Sequence, residues 1–165
     1  MKRSQVAGLL VVLVSILAAS QSSVPKPFEM MKSLIGDWQG KDSEGGFVYV
    51  SYRMTAGGSA IMSEIRSEMQ GHHEDMISMI NRDGARVLLT HYCSAGNQPR
   101  MAASVSPDGK VITFSFVDAT NLARPTDGHM DHVVFDFIDA NHHTEEWHFK
   151  VQRQEMVEKF DLKKS

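Results

Sequence analysis

The sequence predicts an all-β protein in which about ten antiparallel strands run up and down around a closed barrel, with one short helix before the first strand. Three observations carry that expectation. Turn signals recur roughly every 8 to 14 residues, among them Gly45-Gly46, Gly57-Gly58, Gly71, Asp83-Gly84, Pro107-Asp108-Gly109 and Ala140-Asn141. The runs between them are rich in β-branched and aromatic residues, as in Phe47-Val48-Tyr49-Val50-Ser51-Tyr52 and Val111-Ile112-Thr113-Phe114-Ser115-Phe116-Val117. No later stretch sustains helical periodicity over a useful length. A flat open sheet of that many strands is strained, which favours closure over the alternative of a two-sheet sandwich.

The helix is expected over residues 25–35, where Phe28, Met31 and Leu34 or Ile35 fall at helical spacing and Gly36 stops the run. Strands are expected near 37–43, 46–55, 59–69, 73–82 and 85–93, and then near 100–106, 110–118, 129–139, 142–152 and 155–162. Successive connections of a meander alternate between the two barrel ends. The tight turns at 56–58, 83–84, 107–109 and 140–141 therefore share one end, which is closed. The connections at 43–46, 70–72, 94–99 and 119–128 share the other end and include both long loops, so this end is a mouth.

Residues 1–20 read as an export signal. Lys2 and Arg3 lead, an apolar run extends from Val6 to Ala19, and Ala18-Ala19-Ser20 offers small residues for cleavage. The run is shorter than the roughly 20 apolar residues of a membrane span, and no stable membrane anchor is expected. Residues 21–165 then form a single domain, exported to the periplasm or secreted. The whole chain carries a net charge of −3, and loss of Lys2 and Arg3 makes it more acidic. With acids and bases interspersed, there is no basic stripe for nucleic acid. Cys93 is the sole cysteine, so an internal disulfide is excluded and the core must suffice by itself.

The densest chemistry lies in Thr90-His91-Tyr92-Cys93-Ser94-Ala95-Gly96-Asn97-Gln98-Pro99-Arg100. Strand alternation sets His91 and Cys93 on one face and Tyr92 on the other. Together with the second long loop, this run is expected to bring His91, Cys93, Asn97, Gln98, Arg100, Asn121, Arg124 and His129 to the mouth, with His72 nearby. These eight are the candidate ligand-binding residues, and His91, Cys93, Asn97, Arg100 and His129 are expected to line one pocket. The bland reading of Asn97, Gln98 and Arg100 is that they satisfy the turned backbone or pair with Asp118 or Glu145.

His91 and Cys93 are also the candidate catalytic base and nucleophile of an enzymatic alternative. A third reading uses His91 and Cys93 with one of His129 or His132 as metal donors, but strand phase separates the last two, and no metal set is assigned. The sequence specifies no cofactor. Glu145 and Glu146 straddle a strand, so one must face inward or lie at the rim, and an inward glutamate would have Arg53, Arg66 or Arg100 as its ordinary partner. The methionines at 54, 62, 69, 76, 79 and 101 suit an adaptable core or an apolar cavity.

Gly36-Asp37-Trp38-Gln39-Gly40 at the start of the first strand resembles the Gly-x-Trp element of lipocalins and other calycins, where the tryptophan packs across the closed end. From about Phe28 to Leu162 the chain resembles a lipocalin-like family of exported bacterial proteins. The runs that carry this are Thr90 to Arg100, Gly128-His129-Met130 and Glu145-Glu146-Trp147. The resemblance implies a calycin-like barrel and export, and no particular activity. More distantly, Gly36 to Gly40 is similar to the opening of nitrobindin-type haem barrels, which would make His148 an axial ligand by position. The reading adopted is a barrel that binds a small apolar or amphipathic molecule, its polar or anionic group held at the mouth, acting as a monomer or homodimer.

Overall fold

The computed structural model describes residues 26–69 and 72–165. The expected export signal over residues 1–20 lies outside the described residues. Helix α1 spans Lys26–Ser33 and is followed by ten strands. These are β1 (Gly36–Lys41), β2 (Phe47–Thr55), β3 (Ala60–Met69), β4 (His72–Asp83), β5 (Arg86–Tyr92), β6 (Gln98–Val105), β7 (Val111–Thr120), β8 (His129–Asp139), β9 (His142–Val151) and β10 (Gln154–Lys164). Each strand pairs antiparallel with its neighbour in the chain, and β10 returns to β1 to close the barrel. The seam registers Trp38 with Lys164 and Gly40 with Leu162. Gly40 is required there by space, since a Cβ at this position would overlap the Asp161 carbonyl.

Alternation decides what the barrel encloses. Along β5, Val87, Leu89 and His91 are buried while Tyr92 is exposed. Along β9, His143, Glu145 and Trp147 are buried in the same way. Ile61, Ile65, Ile80, Ile112, Phe114, Val133 and Phe135 fill the middle of the barrel. Of the methionines, Met101 sits in this core, whereas Met62 and Met79 form a cross-strand pair off the inner face, each flanked by buried neighbours.

The helix covers the end that carries the tight turns. Phe28 and Met31 are buried from α1, the Arg82 guanidinium lies over the Phe28 ring at 5.4 Å, and Lys26 reaches across Gly109. Trp38 closes this end from inside. Its indole Nε1 donates to the Leu34 carbonyl at 2.6 Å, and its ring meets His143 edge-on with centroids 4.4 Å apart. The opposite end holds the connections around residues 42–46, 93–97 and 121–128, and Gln152 N donates to the Thr126 carbonyl to tie the last of these to the β9–β10 turn.

One difference from the expected strands matters for the site. β6 begins at Gln98 rather than at residue 100, and β7 runs on to Thr120. The cause is extra pairing: Gln98 faces Thr120 and Pro99 faces Ala119, with the Thr120 hydroxyl donating to Gln98 Oε1. Gln98 and Arg100 are thus strand residues whose side chains obey strand alternation. Pro99 and Met101 take the buried face between them.

Candidate functional site

The mouth leads into a cavity of about 660 Å³. Its walls come from inward positions of four strands: Met76 on β4, Met130 on β8, Trp147 and Phe149 on β9, and Phe160 on β10. Cys93, Ser94 and Ala95 edge it where β5 ends. Three carboxylates, Glu44, Glu74 and Glu158, stand among its lining, and Met156 and Val157 are exposed at the start of β10. Two of these acids also hold the rim together, Glu74 accepting from the Ser94 hydroxyl at 3.1 Å and Glu158 from the Ser43 amide at 3.0 Å.

Beneath the cavity lies a polar layer. Trp147 Nε1 donates to Glu145 Oε2 at 2.9 Å, while Glu145 Oε1 accepts from the Tyr52 hydroxyl and from His143 Nε2, the latter at 3.1 Å. Glu145 is fully buried. A buried carboxylate needs such donors to replace water. Burial, and then the adjacent Glu145 carboxylate, push the Tyr52 phenol well above its ordinary range, so it stays a donor. Among the described residues, the side chains bonded to Glu145 are Tyr52, His143 and Trp147, and none is an arginine. Arg53 pairs with Asp37, Arg66 with Glu64 and Arg100 with Asp118, which corrects the expected arginine partner.

His91 faces inward and is fully buried, its ring tilted against Trp147 at 4.7 Å. Nδ1 lies 2.9 Å from the Ser78 hydroxyl, and Nε2 has no protein partner. Burial pushes this imidazole down to about 4. An unfolded chain titrates it near 6.5, so between these values the unfolded state binds the proton more strongly. The stability this contributes is complete above pH 6.5 and is lost as pH falls toward 4, by about 3 kcal/mol. Denaturant titrations at pH 7 and pH 4.5 should show a loss of about 2–3 kcal/mol, and His91→Asn should flatten it. An unchanged pH slope in the variant would exclude His91 as its source.

Cys93 also faces the interior, packed against the core and lining the cavity. Burial pushes its thiol up, and the nearby Glu74 adds to this against the Ala95 amide, which favours the thiolate. Both members of the candidate catalytic pair are therefore neutral near pH 7. A thiolate–imidazolium pair of the kind nucleophilic catalysis uses is not preset.

The other sequence candidates hold the rim. Asn97 is buried and donates from Nδ2 to the Gly128 carbonyl at 2.8 Å, and Asn121 donates to the Gly96 carbonyl at 2.7 Å. Gln98 donates to that same carbonyl at 3.0 Å. His129 is buried against Phe116, with Nδ1 2.8 Å from the Asp127 carbonyl. Arg124 pairs with Asp127. Arg100 is exposed and doubly bonded to Asp118 on the neighbouring strand, so the expectation that it lines the pocket is corrected. Of the five residues expected in one pocket, Cys93 lines the cavity and His91 lies behind Trp147. His148, the positional haem candidate, is on the outer face of β9, beside Glu155 and His132 rather than in the barrel.

Sequence reasoning missed Met130, Phe149, Phe160, Glu74 and Glu158 as cavity residues. The signal was available in part, since Glu74 and Met76, like Glu158 and Phe160, are two apart and must share a strand face.

No protein-family model matches the chain, and a comparison with curated proteins finds no match. Among solved structures, the crystal structure of Rv2717c from M. tuberculosis is similar, with a TM-score of 0.63, 14% sequence identity, and coverage of 86% of this chain and 98% of that one. At that identity the likeness establishes the barrel fold, which is consistent with a calycin-like architecture.

Proposed function

We propose that this barrel binds a small amphipathic molecule, its apolar part inside the cavity and its polar end at the mouth, and that it does so outside the cytoplasm after removal of residues 1–20. The observation that carries the reading is the cavity itself. Its volume of about 660 Å³ falls in the range of small-molecule sites, and its walls are methionine and aromatic side chains. The lining also revises the polar end. Arg100 and Arg124 are engaged by Asp118 and Asp127, whereas Glu74 and Glu158 stand in the cavity lining. A cationic or hydrogen-bond-donating head group suits that entrance better than an anionic one. The neutral Cys93 and His91 support packing and cavity-lining roles for these two residues over catalysis.

Calorimetry with decyltrimethylammonium and with decanoate tests this, both kept below their micellar concentrations. The ammonium compound is expected to bind one per chain and at least tenfold more tightly than the carboxylate. Glu74→Gln with Glu158→Gln should erase the preference, and Met130→Trp should block both compounds by filling the cavity. Binding of neither compound, or tighter binding of decanoate, would overturn the proposal.

A further inference from the structure

On the outside of the barrel, β8, β9 and β10 bring two histidines and a glutamate together. His132 and His148 are register partners on adjacent strands, their rings stacked 3.7 Å apart at 19°. Glu155 Oε1 lies 3.2 Å from His148 Nδ1 and 4.0 Å from His132 Nδ1. One ligand atom from each of the three residues falls within 4.8 Å of the others. Bonds of about 2.0–2.1 Å to a tetrahedral ion place neighbouring donor atoms about 3.3 Å apart, which the two separations to Glu155, 3.2 and 4.0 Å, bracket.

Two further features point the same way. A β-bulge between Met130 and His132 breaks the register of β8, and bulges of this kind re-aim side chains at sites. The donors also have carboxylate neighbours: Asp131 Oδ2 is 3.0 Å from His132 Nδ1, and Glu146 Oε2 is 4.0 Å from His148 Nε2. Lys150, 3.7 Å from Asp131, and Lys159, 2.6 Å from Glu146, offset part of that negative charge.

We propose that His132, His148 and Glu155 form a surface site for a divalent transition-metal ion of the zinc class, with Asp131 beside it adding negative charge. Two imidazoles and one carboxylate suit zinc, nickel or copper rather than calcium or magnesium, which prefer all-oxygen shells. Three protein donors leave a coordination position facing solvent. The site is separate from the cavity, and its occupancy does not depend on the small-molecule proposal.

The test titrates the metal-stripped protein with Zn²⁺ alone in competition with a chromophoric chelator, and follows Co²⁺ binding by its visible absorption. One ion per chain is expected, with the intense Co²⁺ bands of a low-coordinate site. His132→Ala, His148→Ala and Glu155→Gln should each weaken Zn²⁺ binding at least tenfold. Asp131→Asn should weaken it to a smaller degree, and Cys93→Ala should leave it unchanged. Because His148→Ala alters an outer face, melting curves should verify that it folds, and the exposed Glu155 provides a second variant that spares the packing. Failure of the native chain to bind Zn²⁺ stoichiometrically, full affinity in the His148 and Glu155 variants, or loss on replacing Cys93 would each overturn the assignment.

Discussion

Replacing Glu145 with alanine is expected to destabilise the barrel by about 3–5 kcal/mol, read as a shift of the urea midpoint at constant slope. The side chain is fully buried, and its two oxygens accept from Tyr52, His143 and Trp147. Truncation strands three donors away from water, at about 1–3 kcal/mol for each that finds no new partner. Removing a buried charge gives some of that back, which keeps the net loss below the sum. Glu145→Gln separates the contributions. It retains the volume but turns one acceptor into a donor facing another donor, so an intermediate loss is expected. A loss below about 1 kcal/mol for alanine would mean that water reaches these groups and that the layer beneath the cavity is wet.

Trp38→Ala is expected to cost a similar amount, about 3–5 kcal/mol. The indole is 2% exposed, packs edge-on to His143 and is anchored to the Leu34 carbonyl behind α1. Its loss leaves a void between the helix and the closed end, where the rigid β1–β10 seam permits little collapse. Trp38→Phe keeps most of the packing and removes only the hydrogen bond, so it should cost far less. Urea melts of the two variants distinguish packing from hydrogen bonding. If alanine were tolerated with a change under about 1 kcal/mol, Trp38 would not be holding the closed end.

Much of this architecture is legible in local sequence, because turn residues and period-two alternation are local properties. The inward phase of His91 against the outward phase of Tyr92 follows from Val87 and Leu89 on the same strand. The division into a tight-turned end and a mouth follows from counting connections. The site was less legible because its partners come from across the barrel. Glu145 meets Tyr52 at a separation of 93 positions, and no pattern around either residue announces the other. Arg100 was misplaced because the paired stretch Gln98–Pro99 extends β6 into what reads as loop, and an arginine on the outer face of a strand finds its acid on the next strand. The pairing of His132 with His148 depends on a bulge that shifts register by one residue, and no alternation rule foresees it.

Every strand pairing in the barrel except one joins neighbours in the chain; the exception, β1 with β10, sets the order in which the molecule can assemble. Hairpins from β1–β2 through β9–β10 form from nearby residues, which keeps contact order low and favours fast early steps. Closure must wait for segments far apart to meet, as in the bond from the Ser43 amide to Glu158, 115 positions away. Until then β1 and β10 are bare edges that invite pairing with another chain. The entropy of closing that long loop rises only slowly with its length, so the seam is slow to find rather than weak once formed. Gly40 bears directly on that last step: it lets the two strands approach closely at Asp161, so the fit of a single glycine governs whether an almost finished sheet becomes a barrel or remains an open, aggregation-prone intermediate.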